Sequence, residues 1–285
     1  MIAQKIKDNL RSSLMYNVVH IFILFIVATV FSMTAVAHEL WLDSKQFQLP
    51  VDKEVEIELR NGENFKGVNL SYFDNRIKQF FWFQNDVRQE VKSRPGDVPA
   101  MSTEIDSEGL IIVVYESTPS SLVYNSWAKF TNFIRHKNFL NAEQLHADRG
   151  LPKKGFKEKY YRFSKALVGR GHSKGRDRNF GLKLEFIAKT NPYVDALEVG
   201  FIAQLLYLQK PHKNAQVTVF ERDAKGNVTV FYEKTDATGK VFIPVKTGFD
   251  YLLDAVVLKE VEPKVPGDPV WKSFWAAMTF AVPEK

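Results

Sequence analysis

In the stretch "EVEIELRNG", Val55, Ile57 and Leu59 alternate with Glu54, Glu56 and Glu58. A period of two places the apolar set on one face and predicts a half-buried strand within 46–60. Asn61 and Gly62 then predict the turn that ends it. "QFFWFQ" at 79–84 and "GLIIVVYES" at 109–117 read as further strands, because aromatic and β-branched residues suit a pleated surface. Pro95, Gly96 and Pro99 mark a loop between them. After "STPSS" the period lengthens. Trp127, Phe130 and Ile134 recur at helical spacing behind Ser126, an N-cap residue type. A second short helix follows over 142–149. Asn141 and Gln144 have capping-box spacing, and Leu140 is placed to staple onto Leu145. Gly150 and Pro152 stop it, and "KEKYYRFSKALVG" predicts a third helix ending at Gly169.

Strands return from about 181. "LEFIA" leads to the break "NPY", and "AQVTVFERD" pairs with "VTVFYEKTD" across "AKGN" as a hairpin. "TDATGKVFIPVKTGFDYLLDAVVL" adds two more strands, joined at Thr247 and Gly248. In "VWKSFWAAMTF" a strand pattern puts Trp271 and Trp275 on one face, where core packing is the default for large aromatics. Helices that interrupt strands, instead of alternating with them, argue against a parallel α/β sheet. The expected fold is mainly β: two β-sandwich domains, the first carrying a helical insertion. Residues 38–192 form the first, with the helical segment at 126–169, and residues 193–285 form an immunoglobulin- or transthyretin-like sandwich.

The start of the chain departs from this pattern. Lys5, Lys7 and Arg11 precede an apolar run, Val18 to Phe31, and then "AVA" at 35–37. A basic start, a short apolar run and an AxA triplet together make a secretory leader, residues 1–37, cut after Ala37. A periplasmic protein is the expectation. The formal charge of the whole chain is +6, and a mild positive excess remains after the leader is removed. There is no cysteine, which excludes disulfides and thiolate metal sites. A 45% hydrophobic content is sufficient for a packed core without such staples.

An ordered series of segments carries a family resemblance: "AHELWLDSKQF", "NGENFKG", "YESTPSS", "KFTNFI", "YYRFSKALVG", "NPY" and "VWKSFWAAMTF". Together they resemble a family of exported bacterial proteins of undefined function, once described as the periplasmic component of a cobalt or nickel ABC transporter. The resemblance covers essentially the whole chain after the leader. It implies a metal ion as ligand, an inner-membrane metal transporter as partner, and histidines at the positions of His136 and His146. Residues 210–257 also resemble the carboxypeptidase-regulatory, transthyretin-like sandwich, a module that usually supports or connects.

Cleavage after Ala37 gives His38 a free α-amine beside its imidazole. Both groups lose protons near neutral pH, and both can close a chelate on one ion. Two nitrogens from one residue, with a second imidazole, suit square-planar or tetragonal Cu(II) or Ni(II). Likeness to copper proteins with a mature N-terminal histidine is confined to this residue. The candidate metal site is therefore His38 with His136 and His146, for Ni, Co or Cu. His136 sits at a helix C-terminus, where the dipole would also favour a plain surface cation. His172 lies in a Gly-rich loop, and His212 follows Pro211 in a turn.

Other motifs add little. "GHSKG" at 171–175 matches a nucleophile-elbow pattern but lacks the strand-to-helix turn that such a serine requires. There is no P-loop, HExxH or dinucleotide fingerprint, so no enzyme is expected, and a copper oxygenase ranks last. Residues 149–178 hold eleven Lys or Arg against Glu158 and Asp177. In an exported protein such a run reads as a solvated helical face or an attraction to anionic envelope surfaces, not as a nucleic-acid site. Two functions follow: a periplasmic transition-metal-binding protein anchored at His38, or a non-catalytic envelope β-sandwich that binds no metal.

Overall fold

The computed structural model describes residues 38–284, so the leader read at 1–37 lies outside the described residues. The strands are β1 (Glu39–Asp43), β2 (Gln48–Leu49), β3 (Val55–Glu63), β4 (Lys66–Leu70), β5 (Ile77–Gln84), β6 (Val87–Glu90), β7 (Met101–Thr103), β8 (Gly109–Ser117) and β9 (Ser120–Tyr124). Two helices follow, α1 (Trp127–His136) and α2 (Ala142–Asp148). After them come β10 (Phe156–Arg170), β11 (Leu184–Ala188), β12 (Phe201–Tyr207), β13 (Lys210–Pro211), β14 (Gln216–Arg222), β15 (Val228–Lys234), β16 (Lys240–Ile243), β17 (Phe249–Glu260) and β18 (Pro269–Val282). The protein is mainly β.

A ten-stranded sheet forms the middle layer, in the order β15-β14-β17-β18-β10-β8-β5-β6, with β2 and β9 also paired to β10. Strand β8 shows why it is central. Leu110, Ile112 and Val114 enter one core, while Ile111, Val113 and Tyr115 enter another on the opposite face. With both faces covered, a strand becomes a continuous apolar run. One core lies against the sheet formed by β11, β12, β13 and β16, with Phe186, Phe201 and Leu205 buried there. The other lies against β1, β3, β4 and β7, through Leu42, Val55 and Ile57.

Strand β10 corrects two expectations. Residues 156–170 are a strand, not a third helix, so the helical segment ends with α2. Phe163 and Leu167 point into one core while Ala166 and Val168 point into the other. The segment therefore has no exposed face to reveal a period of two, and its aromatic spacing imitates a helix. It also pairs in parallel with β18, from Glu158 opposite Trp271 to Ala166 opposite Thr279. Strands on both sides of residue 192 thus share one sheet, and the expected separation into 38–192 and 193–285 is not a physical boundary.

Local details differ as well. Gly62 continues β3, and the chain reverses at Asn64 and Phe65, with φ of 52° and 57°. Two consecutive positive φ values are those of a type I′ hairpin. Gly62 and Gly67 face each other across that hairpin, where a Cβ on Gly67 would strike the Trp41 ring. Neither Ser126 nor Asn141 makes a side-chain cap bond. Gln144 donates instead to Asp148, and Leu140 is 79% exposed, so neither capping box nor staple forms. The expected hairpin of β14 with β15 forms, with Gln216 opposite Lys234. Trp271 and Trp275 do share a face, packed with Phe130, Phe133 and Ile134 of α1.

Candidate functional site at the amino-terminal strand

Strand β1 pairs with β3, Glu39 opposite Gly62 and Leu40 opposite Asn61, so the next pair outward is His38 opposite Glu63. The His38 Nε2 lies 3.7 Å from Glu63 Oε1, with the two side chains 43% and 34% exposed. Side chains alternate along a strand, and Glu39 accordingly points the other way, into the protein. There the Lys137 ammonium, just past α1, donates to Glu39 Oε1 at 2.8 Å and to Asp254 Oδ2 at 2.7 Å. All three are nearly fully buried. Burial alone would lower the Lys137 pKa, but Asp254 and Glu39 outweigh it and hold the ammonium above its ordinary value. Burial holds Asp254 above the usual carboxylate range. This triad clamps β1 to α1 and β17 directly behind His38.

Strand β1 is fixed at three further points. The Leu42 amide donates to Ser164 Oγ at 3.0 Å, and Thr279 Oγ1 donates to the Leu42 carbonyl at 2.7 Å. Arg222 forms a two-pronged pair with Asp43, 2.9 Å to each oxygen. Bidentate guanidinium–carboxylate pairs add direction as well as energy. The residue that opens the described chain thus stands on a rigid base.

His38, His136 and His146 are not gathered into one group among the described residues. Among the described residues, no group of three His, Asp or Glu side chains is placed to hold a metal. His146 is 1% exposed and both its nitrogens are engaged: Nδ1 accepts from Trp271 Nε1 at 3.0 Å, and Nε2 pairs with the Pro152 carbonyl at 3.1 Å. Trp127, Phe130 and Phe156 surround its ring. It is a neutral core histidine, and its place among the ligands is corrected: no lone pair is left for an ion. His136 ends α1, half-buried against Tyr232. Burial, then the Lys137 charge, hold its pKa down, so the dipole does not make it a cation. His172 is exposed, with Nδ1 accepting from the Lys174 amide, and His212 packs on Tyr207.

Burial depresses His136, His146 and His212 alike. An imidazole whose folded pKa lies below its unfolded value, about 6.5, binds fewer protons folded than unfolded as pH falls below that value. Each therefore withdraws folding stability through that window. We expect His212→Gln to flatten the decline in thermal midpoint between about pH 6.5 and 5 relative to wild type. Parallel slopes would contradict this.

The basic run is also redistributed. Lys165 is buried and pairs with Asp177 and Glu185, and Arg149 donates to the carbonyls of Val270 and Val261. Arg170 donates to the carbonyls of Lys53 and Val51. Much of the run is internal wiring, which corrects its reading as a solvated helical face. The loop holding "GHSKG" follows a strand, not a helix, and Ser173 Oγ donates to the Gly171 carbonyl. Sequence reasoning missed the Lys137–Glu39–Asp254 triad altogether. No local spacing announces a contact between residues 98 and 117 positions apart.

A layered, mainly β protein whose first described strand is rigidly seated and led by an outward His38 is the class these features define. The chain belongs to the family of the domain of unknown function DUF4198, which matches residues 35–259. No curated protein matches it. A solved structure described as a tetra-tandem repeat in the extending region of a large adhesion protein aligns with 86% of this chain at 11% identity and a TM-score of 0.19. The aligned part is 49% of that protein, so this chain spans about half its length. A likeness at that level carries no argument. No helix among the described residues is long and apolar enough to cross a membrane.

Proposed function

We propose that this is an exported, periplasmic metal-handling protein that takes Ni(II), Co(II) or Cu(II) at His38 once the leader is cut after Ala37. One observation carries the reading: the His38 Nε2 faces the Glu63 carboxylate at 3.7 Å, within ion-pair range. A ligating histidine commonly directs its second ring N–H at a carboxylate, which fixes the tautomer and raises the basicity of the ligating nitrogen. A proton held on Nε2 leaves the lone pair of Nδ1, the nitrogen nearer the backbone, beside the α-amine. Those two nitrogens form the chelate. The protein then supplies only part of a coordination sphere and leaves the rest exchangeable, which suits handing an ion on. The earlier resemblance to a cobalt or nickel transport component supports the same class of cargo and an inner-membrane transporter as recipient.

The test is a titration of the exported protein with each ion, repeated on two variants. His38→Ala should abolish stoichiometric binding. Glu63→Gln should weaken it about 10-fold, the usual scale for loss of an outer-shell partner. Undiminished binding by His38→Ala would overturn the proposal and favour a non-catalytic envelope protein without metal.

A further inference from the structure

Arg162 stands on β10 in an unusual setting. It is 8% exposed, and its Nη1 is buried with no hydrogen-bond partner among the described residues. Its guanidinium stacks 4.2 Å from the Trp275 ring centroid and 5.2 Å from that of Tyr160. A guanidinium has five donors and does not give up its charge in proteins. Leaving such donors unmet in a dry site is more costly than leaving a neutral group unmet. The nearby acids are engaged elsewhere. Glu39 and Asp254 hold Lys137, and Glu158 accepts from Tyr124 at 2.7 Å and from Ser273. Burial draws the Arg162 pKa down and pushes Glu158 up. The fold thus maintains a buried cation that its own carboxylates do not satisfy.

Arg162 borders a cleft of about 340 Å³, at the small end of the range for small-molecule pockets. Leu59, Leu70 and Ile77 give the cleft apolar surface, and Ser117, Thr118 and Arg76 give it donors and a second cation. Phe73, 37% exposed, is also part of its lining. The Arg162 amide donates to Ser117 Oγ at 3.2 Å, tying β10 to the end of β8 beneath the cleft.

We propose that this cleft binds a small organic acid, its carboxylate taken by the guanidinium of Arg162 and its apolar body laid against the leucine and isoleucine side chains. The planar fork of arginine matches a carboxylate in two parallel hydrogen bonds. The apolar lining favours a ligand with a hydrocarbon body over a bare inorganic anion. His38 does not line this cleft, so the assignment stands or falls apart from the metal reading.

The experiment is a calorimetric titration of the chain beginning at His38 with hexanoate, with hexan-1-ol as the neutral counterpart and inorganic phosphate as the bare anion. Hexanoate should bind saturably at one site, more tightly than either control. Arg162→Met should weaken hexanoate about 10-fold or more, the scale of a lost charge-assisted hydrogen bond. Its thermal midpoint without ligand should hold or rise, because methionine replaces an unmatched buried charge. Arg162→Lys keeps the charge but loses the fork, and should also weaken hexanoate. Absence of saturable hexanoate binding would overturn the proposal. So would wild-type affinity in both Arg162 variants, or phosphate binding more tightly than hexanoate.

Discussion

Lys137→Met should destabilise the protein by about 3–5 kcal/mol, the scale for breaking a buried ion pair by removing one partner. The wild-type ammonium is met at 2.8 Å by Glu39 and at 2.7 Å by Asp254, all three nearly fully buried. Methionine fills similar volume, so the loss is electrostatic. Two carboxylates are left facing a dry pocket, and at least one must take up a proton to remain there. A carboxyl whose folded pKa lies above its unfolded value costs stability as pH rises, and the full cost is present above the folded pKa. The deficit in urea unfolding should therefore be larger at pH 8 than at pH 5. The triple variant Glu39→Gln, Lys137→Met, Asp254→Asn should recover a large part of it, since no charge is left buried. A deficit independent of pH would mean that the triad acts through packing alone. The triad also sets the path of β1, so Lys137→Met should weaken any ion held by His38 without touching a ligand.

His146→Ala should cost about 2–4 kcal/mol, combining a cavity among aromatics with an unmatched indole N–H. Trp271 Nε1 would lose its acceptor and the Pro152 carbonyl its partner. His146→Gln should recover part of the loss by offering an acceptor in the same place. Neither variant should alter metal stoichiometry, because no lone pair of His146 is free. Loss of metal binding with stability intact would return His146 to the ligand set.

The histidines show where the sequence stops being informative. His38 stands out in the sequence because it directly follows the leader pattern and the AxA triplet. By sequence alone His146 is indistinguishable from a ligand. Its role depends on Trp271, 125 positions away, and on a strand that local spacing disguised as a helix. Strand β3, with Glu56 exposed between buried Val55 and Ile57, is readable from alternation, and the β14–β15 hairpin from its turn. Strand β10 is not: both faces are covered, and its parallel partner β18 lies over a hundred residues later. The same cause hid Arg162 and Lys165. In a helix their spacing suggested solvated charge, whereas in a central strand they are buried cations with opposite fates. Lys165 is matched by Asp177 and Glu185, while Arg162 Nη1 is unmatched. Asn61 and Gly62 imitate a turn because Asn-Gly is the commoner hairpin signal, whereas this hairpin turns through Asn64 and Phe65.

In the proposed site the α-amine and the imidazole of His38 act as one chelate. The most direct measurement titrates Ni(II) and Cu(II) into two chains, one beginning at His38 and one carrying a single alanine ahead of it, each start verified by intact mass. Every side chain, Glu63 included, is the same in both. We expect one tight site in the first chain and its loss in the second. Equal binding by the two chains would contradict it.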